Sequence, residues 1–226
     1  MLPELGVIFD AGTGLFRARN LIQTDTLDIF LSHVHLDHSI GLTFLYDILY
    51  EKEMGRVTVH VAEDKIDAIR SHLYNRLLFP VEPNFEIEPF QGDNYQIGES
   101  TTVDVFPLEH HPGGSHGFRL NNDGKHIAYI TDTVAGDDAC YLEAVRGVDA
   151  LIHECYFPDG WEDKAKLTGH SCLTPVAKVA KAAEAKSLYL VHINPLDESE
   201  SPLDIESVKP IFENVVVAED QLVIEL

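Results

Sequence analysis

The sequence predicts a layered α/β protein in which β-sheets are covered by helices. Short β-rich runs recur along the whole chain, and helical patterns separate many of them. With no Pro/Gly/Ser linker, low-complexity segment or internal repeat, residues 1–226 read as one domain. The strands expected are 7–10, 28–32, 57–61, 85–90, 102–108, 117–120, 126–131, 149–154, 187–193, 214–218 and 222–226, each rich in β-branched, aromatic or alternating apolar residues. Helices are expected at about 39–53, 63–77, 137–146, 174–186 and 203–213. Thr174 and Pro175 are the N-cap and first-turn signals of the fourth. Between 85 and 131 the connections are short, with the turn sequence Asn-Asn-Asp-Gly at 121–124, so an antiparallel meander is expected there. That makes mixed sheets the expectation rather than a purely parallel doubly wound one.

Of the 226 residues 45% are hydrophobic and 24% charged, the composition of a globular domain. A chain of this size buries roughly 70% of its unfolded surface and needs no disulfide to hold its core. Sixteen Lys and Arg stand against 38 Asp and Glu, a net charge of −22. Long polyanions and acidic membrane surfaces are therefore disfavoured partners, since both require a basic face. The apolar runs fall short of the ~18 residues of a membrane span, and no basic segment precedes the first of them, so a cytoplasmic location is expected. Cys140, Cys155 and Cys172 show no CxxC spacing and read as reduced thiols. The acidic run near 197–206 reads as a solvated loop and helix start.

Chemistry concentrates at 31–42, LSHVHLDHSIGL, where three histidines and an aspartate follow an apolar strand. His33 and His35, two apart, point to one side of an extended chain; Asp37 and His38 follow where a helix begins. Imidazole and carboxylate so spaced suit two neighbouring zinc-type ions, one per pair.

This motif resembles the metallo-β-lactamase superfamily, and further segments match that superfamily's other motifs in order over nearly the whole chain. FDAGTGL at 9–15 is similar to the strand and turn before the metal loop, which implies that Asp10 braces the site. EHHPGGSHGF at 109–118 resembles the third motif, with His111, Gly117 and Phe118 in the matching places and His110 as the alternative to His111. ITDT at 130–133 supplies Asp132, and LVHINP at 190–195 supplies His192. The resemblance implies an αββα four-layer sandwich, two mixed β-sheets flanked by helices. It also implies two divalent metal ions per chain, with zinc expected and Mn2+ or Fe2+ as alternatives. One metal would be held by His33, His35 and His111, the other by Asp37, His38 and His192, with Asp132 and a hydroxide shared.

LIHECYF at 151–157 and TGHSCLTP at 168–175 resemble segments of ribonuclease Z and related phosphodiesterases. They imply His170 as proton donor, with Glu154 orienting it or lining the site, so Asp37, His170 and Glu154 are the expected catalytic residues, Asp37 being also a ligand. Glu154 could alternatively end a strand structurally, and His170 with Ser171 could cap the next helix. Two divalent cations, two carboxylates and a hydroxide leave about one positive charge, which suits a small phosphodiester such as a cyclic nucleotide. Two departures are visible. Ribonuclease Z carries a long arm between its third and fourth motifs, where His111 and Asp132 are only 21 residues apart; with the acidic charge, this argues against transfer RNA. Only six residues precede the first strand run, which implies an abbreviated first sheet with an exposed edge or a start placed too late.

The expected partner is thus a small anionic substrate, with neither transfer RNA nor membrane; the resemblance allows a homodimer, since dimers are common in that superfamily, but no segment of the sequence declares an interface. The competing readings are a lactone or thioester hydrolase on the same centre, with Tyr156 beside the metals, and a non-catalytic metal-binding regulator. His60, His72, His110, His116, His126 and His153 receive no role, though His110 and His116 flank the expected pocket.

Overall fold

Parallel strands require crossover connections, and the first 93 residues supply three of them. The computed structural model describes residues 1–197, 199 and 201–226. Glu198 and Glu200, within the acidic run, lie outside the described residues. The chain divides into two compact units, Met1–Asp93 and Asn94–Leu226. In the first unit β1 (Val7–Phe9), β2 (Thr26–Phe30), β3 (Arg56–Val61) and β4 (Glu86–Pro89) form a four-stranded sheet in that order. All three pairings are parallel, in registers such as Phe9↔Phe30, Phe30↔His60 and Val61↔Pro89. The sheet is therefore not mixed, as the sequence suggested. Each connection holds helical turns long enough to return the chain to the same end.

The helical crossovers are shorter and less regular than expected. In place of one helix over 39–53 the chain forms α1 (Leu36–Ser39), a 3-10 segment Ile40–Phe44 and α2 (Leu45–Ile48). Gly41 explains the break. Its amide donates to Ala11 O at 2.7 Å, and a Cβ there would stand 2.1 Å from Gly12 O, so this turn is tied to the loop after β1. The stretch 63–77 likewise becomes a 3-10 segment Glu63–Lys65, α3 (Ile66–Ala68) and a π turn Ile69–Leu73. These turns still place Leu42, Leu45, Ile48 and Ile69 on the core face of the sheet, against Leu27, Ile29, Val57, Val59 and Ile87.

In the second unit seven strands, β5 (Asn94–Ile97), β6 (Thr101–Leu108), β7 (Ser115–Asn122), β8 (Lys125–Ile130), β9 (Ala150–Glu154), β10 (Leu188–Val191) and β11 (Val215–Val217), run in the order β11-β10-β9-β8-β7-β6-β5. The expected meander is present: β5 to β8 pair antiparallel, while β8 to β11 pair parallel. Asp123 and Gly124 at φ 47 and 77 give the β7–β8 hairpin the left-handed turn its sequence called for. The helices are α4 (Glu162–Thr168), α5 (Leu173–Ala182) and α6 (Ile205–Val208).

Three expectations differ. Residues 137–146 form turns, since Tyr141 is drawn inward to hydrogen-bond His153 at 2.7 Å and Val145 is buried. Residues 222–226 form no strand. Helix α5 begins at Leu173 with Cys172 as N-cap, and Thr174 sits inside its first turn, where its amide and hydroxyl both donate to Asp159 at 2.8 and 2.6 Å.

On the face of the first sheet opposite its core, Asp28 accepts from His60 Nε2 at 2.7 Å and from both terminal nitrogens of Arg56 at 2.8 and 2.6 Å. Burial works to raise the Asp28 pKa, but the hydrogen bonds from His60 and Arg56 outweigh it and hold the carboxyl below its usual value. A depressed folded-state pKa stabilises at neutral pH, and that stability is lost as pH falls through the folded value, below the ordinary ~3.9 of Asp. Asp28→Asn is thus expected to cost about 1–3 kcal/mol in urea unfolding at neutral pH. Its gap to the unaltered protein should narrow in acid; a gap that is constant with pH would refute the ionic role.

Candidate metal centre

In the first unit the geometry starts at the residue after β1. Asp10 adopts φ 57, a left-handed conformation that Asp tolerates better than most residues, and its amide donates to Phe30 O at 2.9 Å. Its carboxylate then meets the end of β2. Oδ1 accepts the amide of Ser32 at 2.7 Å, and Oδ2 accepts the Ser32 hydroxyl at 2.8 Å and faces His38 Nδ1 at 2.7 Å. An ionised carboxylate only accepts, so His38 carries its proton on Nδ1 and its lone pair on Nε2.

The same logic reaches His33. The Ser32 hydroxyl donates its one hydrogen to the bond with Asp10, so its contact of 3.0 Å with His33 Nδ1 is a hydrogen bond donated by the imidazole. One buried carboxylate therefore sets both rings to present Nε2 lone pairs, the orientation that outer partners impose on metal-binding histidines. His33 and His38 lie 4.3 Å apart between ring centroids, His33 and His35 4.6 Å. The structure thus brings His33 and His35 together, though not as two positions of a strand: β2 ends at Phe30, His33 is buried and His35, the N-cap of α1, is exposed. Asp37 is exposed, with Oδ2 3.3 Å from His38 Nε2.

In the second unit His111 Nδ1 contacts Gly169 O at 3.2 Å, and its Nε2 is 3.6 Å from Asp132 Oδ1. A carbonyl only accepts, so here too the proton is on Nδ1. His110 turns outward, its side chain 56% exposed against 5% for His111. Asp132 lies just beyond β8 at φ 52, buried, its Oδ2 accepting the Thr131 hydroxyl at 2.6 Å. His192, directly after β10 at φ 54, brings Nε2 to 3.9 Å from Asp132 Oδ1. His111, Asp132 and His170 offer ligand atoms all within 4.8 Å of one another, as do Glu154, His170 and His192. The donor set, imidazoles with fixed tautomers around carboxylates, fits a divalent zinc-type ion.

Glu154 ends β9 fully buried. Its carboxylate accepts amides of Thr133 at 3.1 Å and of Tyr156 and Ser171 at 3.2 Å, and faces His170 Nδ1 at 3.3 Å. Burial pushes its pKa up, against the His170 hydrogen bond. Ser171 donates to Thr133 O at 2.7 Å and accepts from Ala135 N at 2.9 Å, so it ties two loops together rather than capping α5. Tyr156 stacks on His170, centroids 4.8 Å apart and planes within 19°. Of the other histidines, His60 belongs to the Asp28 network. His153, wholly buried and pushed down to about 4 by burial, stays neutral between Tyr141 and the carbonyl of Glu154. Ser32 and Thr133 were not singled out from the sequence; a hydroxyl next to a candidate ligand, His33 or Asp132, is the only signal each offers.

Residues 6–193 match the family described as Beta-lactamase superfamily domain. A ribonuclease Z of Archaeoglobus fulgidus is 26% identical over 97% of this chain and 88% of its own length. Among solved structures, the metallo-β-lactamase fold protein YhfI from Bacillus subtilis aligns with TM-score 0.76 at 20% identity, covering 97% of this chain and 87% of that one. Human tRNase Z, short form, aligns with TM-score 0.68 at 24% identity, covering 97% and 87%. The metallo-β-lactamase fold expected from the motifs is thus the fold of this chain. The exclusion of transfer RNA is overturned by relatives named ribonuclease Z that match almost the entire chain. A net charge summed over the chain does not describe the field at one face, and a short segment between two motifs does not define what a centre accepts. Among the described residues no helix is long and apolar enough to cross a membrane.

Asp10→Asn isolates the carboxylate, because Asn also tolerates the left-handed backbone. It should weaken metal affinity about 10- to 100-fold in a competition titration against a chromogenic chelator. Unchanged affinity would mean that Asp10 serves only the backbone.

Proposed function

We propose that this chain, which belongs to the β-lactamase superfamily and is a metal-dependent hydrolase, cleaves phosphodiesters, small ones such as cyclic nucleotides among them, on a dinuclear centre. His33, His35 and His111 would hold one ion, Asp37, His38 and His192 the other, with Asp132 available to both. Zinc is the expected ion, with Mn2+ and Fe2+ as alternatives. When bound, the pair supplies Lewis acidity toward the phosphoryl oxygens and lowers the pKa of water so that a nucleophile exists at neutral pH. The observation that carries the reading is the fixing of His33, His38 and His111 in the tautomer that presents Nε2. Hydrogen bonds on the Nδ1 side leave the Nε2 atom of each ring to serve as a ligand.

The chain's own groups do the rest. Asp10 and Ser32 hold two rings in place before substrate arrives, and Gly169 O holds a third. His170, with Nδ1 toward Glu154 at 3.3 Å, delivers a proton from Nε2 to the leaving oxygen. Glu154 keeps that ring oriented, and three backbone amides keep Glu154 itself in place. Tyr156, stacked on His170, limits its rotation. The three cysteines, all free, suit a reducing cytoplasm, where we place the activity.

A panel assayed on metal-loaded protein tests this: aryl phosphodiesters, cyclic nucleotides, a transfer RNA precursor, lactones and thioesters. Hydrolysis of diesters ahead of carbonyl esters is expected. Faster turnover of a lactone would transfer the centre to ester chemistry with Tyr156 as its partner, and tight metal binding with no turnover would make the chain a regulator. His170→Ala should lower kcat by about 10² to 10⁴ on a diester with an alkoxide leaving group and by much less on a nitrophenyl diester. Equal losses on both would assign His170 to phosphate binding.

A further inference from the structure

We propose that Trp161 and Lys164 form a subsite that takes the planar base and a phosphate of a nucleotide-bearing phosphodiester. This inference rests on the phosphodiester reading above and narrows its substrate class. The segment between Tyr156 and His170 leaves the site and returns to it. It departs at Tyr156, whose ring stacks on His170, and comes back through Gly169, which has φ 77 and where a Cβ would stand 2.6 Å from the His111 Cα. Phe157 and Ala165 are its buried anchors.

What it carries outward is a row of rings. From His170 the centroid of Phe157 is 6.5 Å away, and from Phe157 that of Trp161 is 6.2 Å away with planes within 12°. The row ends in an indole that is 49% exposed. Half an indole left in water is unfavourable for a side chain of this size. Here it also lies parallel to a buried ring, with an ammonium over part of its surface. Lys164 Nζ lies 4.9 Å from the Trp161 centroid and 5.7 Å from that of Phe157.

A half-exposed indole with a cation beside it is complementary to a planar base joined to a phosphate. The base stacks, and the anion meets the ammonium. Two ring-to-ring steps, of 6.5 and 6.2 Å, separate this platform from His170.

Trp161 is the single tryptophan, so its fluorescence reports the subsite directly. The test compares a thymidine 5′-(4-nitrophenyl) phosphate with methyl 4-nitrophenyl phosphate, which shares the leaving group and lacks the base, and titrates thymidine 5′-monophosphate while tryptophan emission is recorded. The holoprotein should prefer the base-bearing diester in kcat/KM, and the nucleotide should quench emission saturably. Trp161→Ala should lower that preference by about 5- to 150-fold, Trp161→Phe should retain most of it, and Lys164→Gln should weaken quenching by the nucleotide more than by thymidine. Equal kcat/KM on both diesters without quenching would overturn the subsite and leave diester hydrolysis standing. Hydrolysis of neither diester would overturn the phosphodiester reading instead. In that case quenching decides the subsite by itself, saturable quenching retaining it as a nucleotide site and its absence removing it.

Discussion

The carboxylate of Asp10 is the interaction on which the first unit's chemistry depends. It sits at the end of one strand and reads the end of the next, and its two oxygens hold Ser32 and His38 while Ser32 passes the same constraint to His33. Ser32, His33 and His38 are thereby fixed, although only His38 of the three lies in a regular element, the short helix α1. The parallel sheet makes this possible, because it brings the carboxyl ends of β1 and β2 into register at Phe9 and Phe30.

The second unit repeats the device. Asp132 lies just beyond β8, Glu154 at the end of β9 and His192 directly after β10, all at neighbouring ends of parallel strands. Asp10, Asp132 and His192 share positive φ values of 57, 52 and 54. A non-glycine residue in that region costs of order 1–3 kcal/mol and persists only where its surroundings over-determine it. At each of these positions the chain turns out of a strand that has just ended. Buried carboxylates then satisfy the loop amides, so the loops are held by the same groups that set the histidines.

Much of this was legible in the sequence. The His-x-His-x-Asp-His run and the strand ends at 111, 132 and 192 could be found because few other arrangements concentrate such residues after apolar runs. Strands were readable where alternation was strong, as in β6, while Asn94–Ile97, rich in turn formers on both sides, pairs with β6 only through tertiary context. Helices were overestimated because apolar periodicity does not reveal that Gly41 must approach Ala11 or that Tyr141 must reach His153. Helix α4 was missed for the opposite reason: with Ala165 its one buried residue, it carries almost no apolar face. The role of Ser32 was illegible, because it depends on a carboxylate 22 positions away.

The most direct test of the account is the diesterase activity of metal-free protein titrated with zinc. If the strand-end histidines and aspartates assemble a dinuclear centre, hydrolysis of an aryl phosphodiester should rise to a plateau at two ions per chain, and an Asp132→Ala protein should not reach it. Full activity at one ion per chain, or none at any loading, would contradict it.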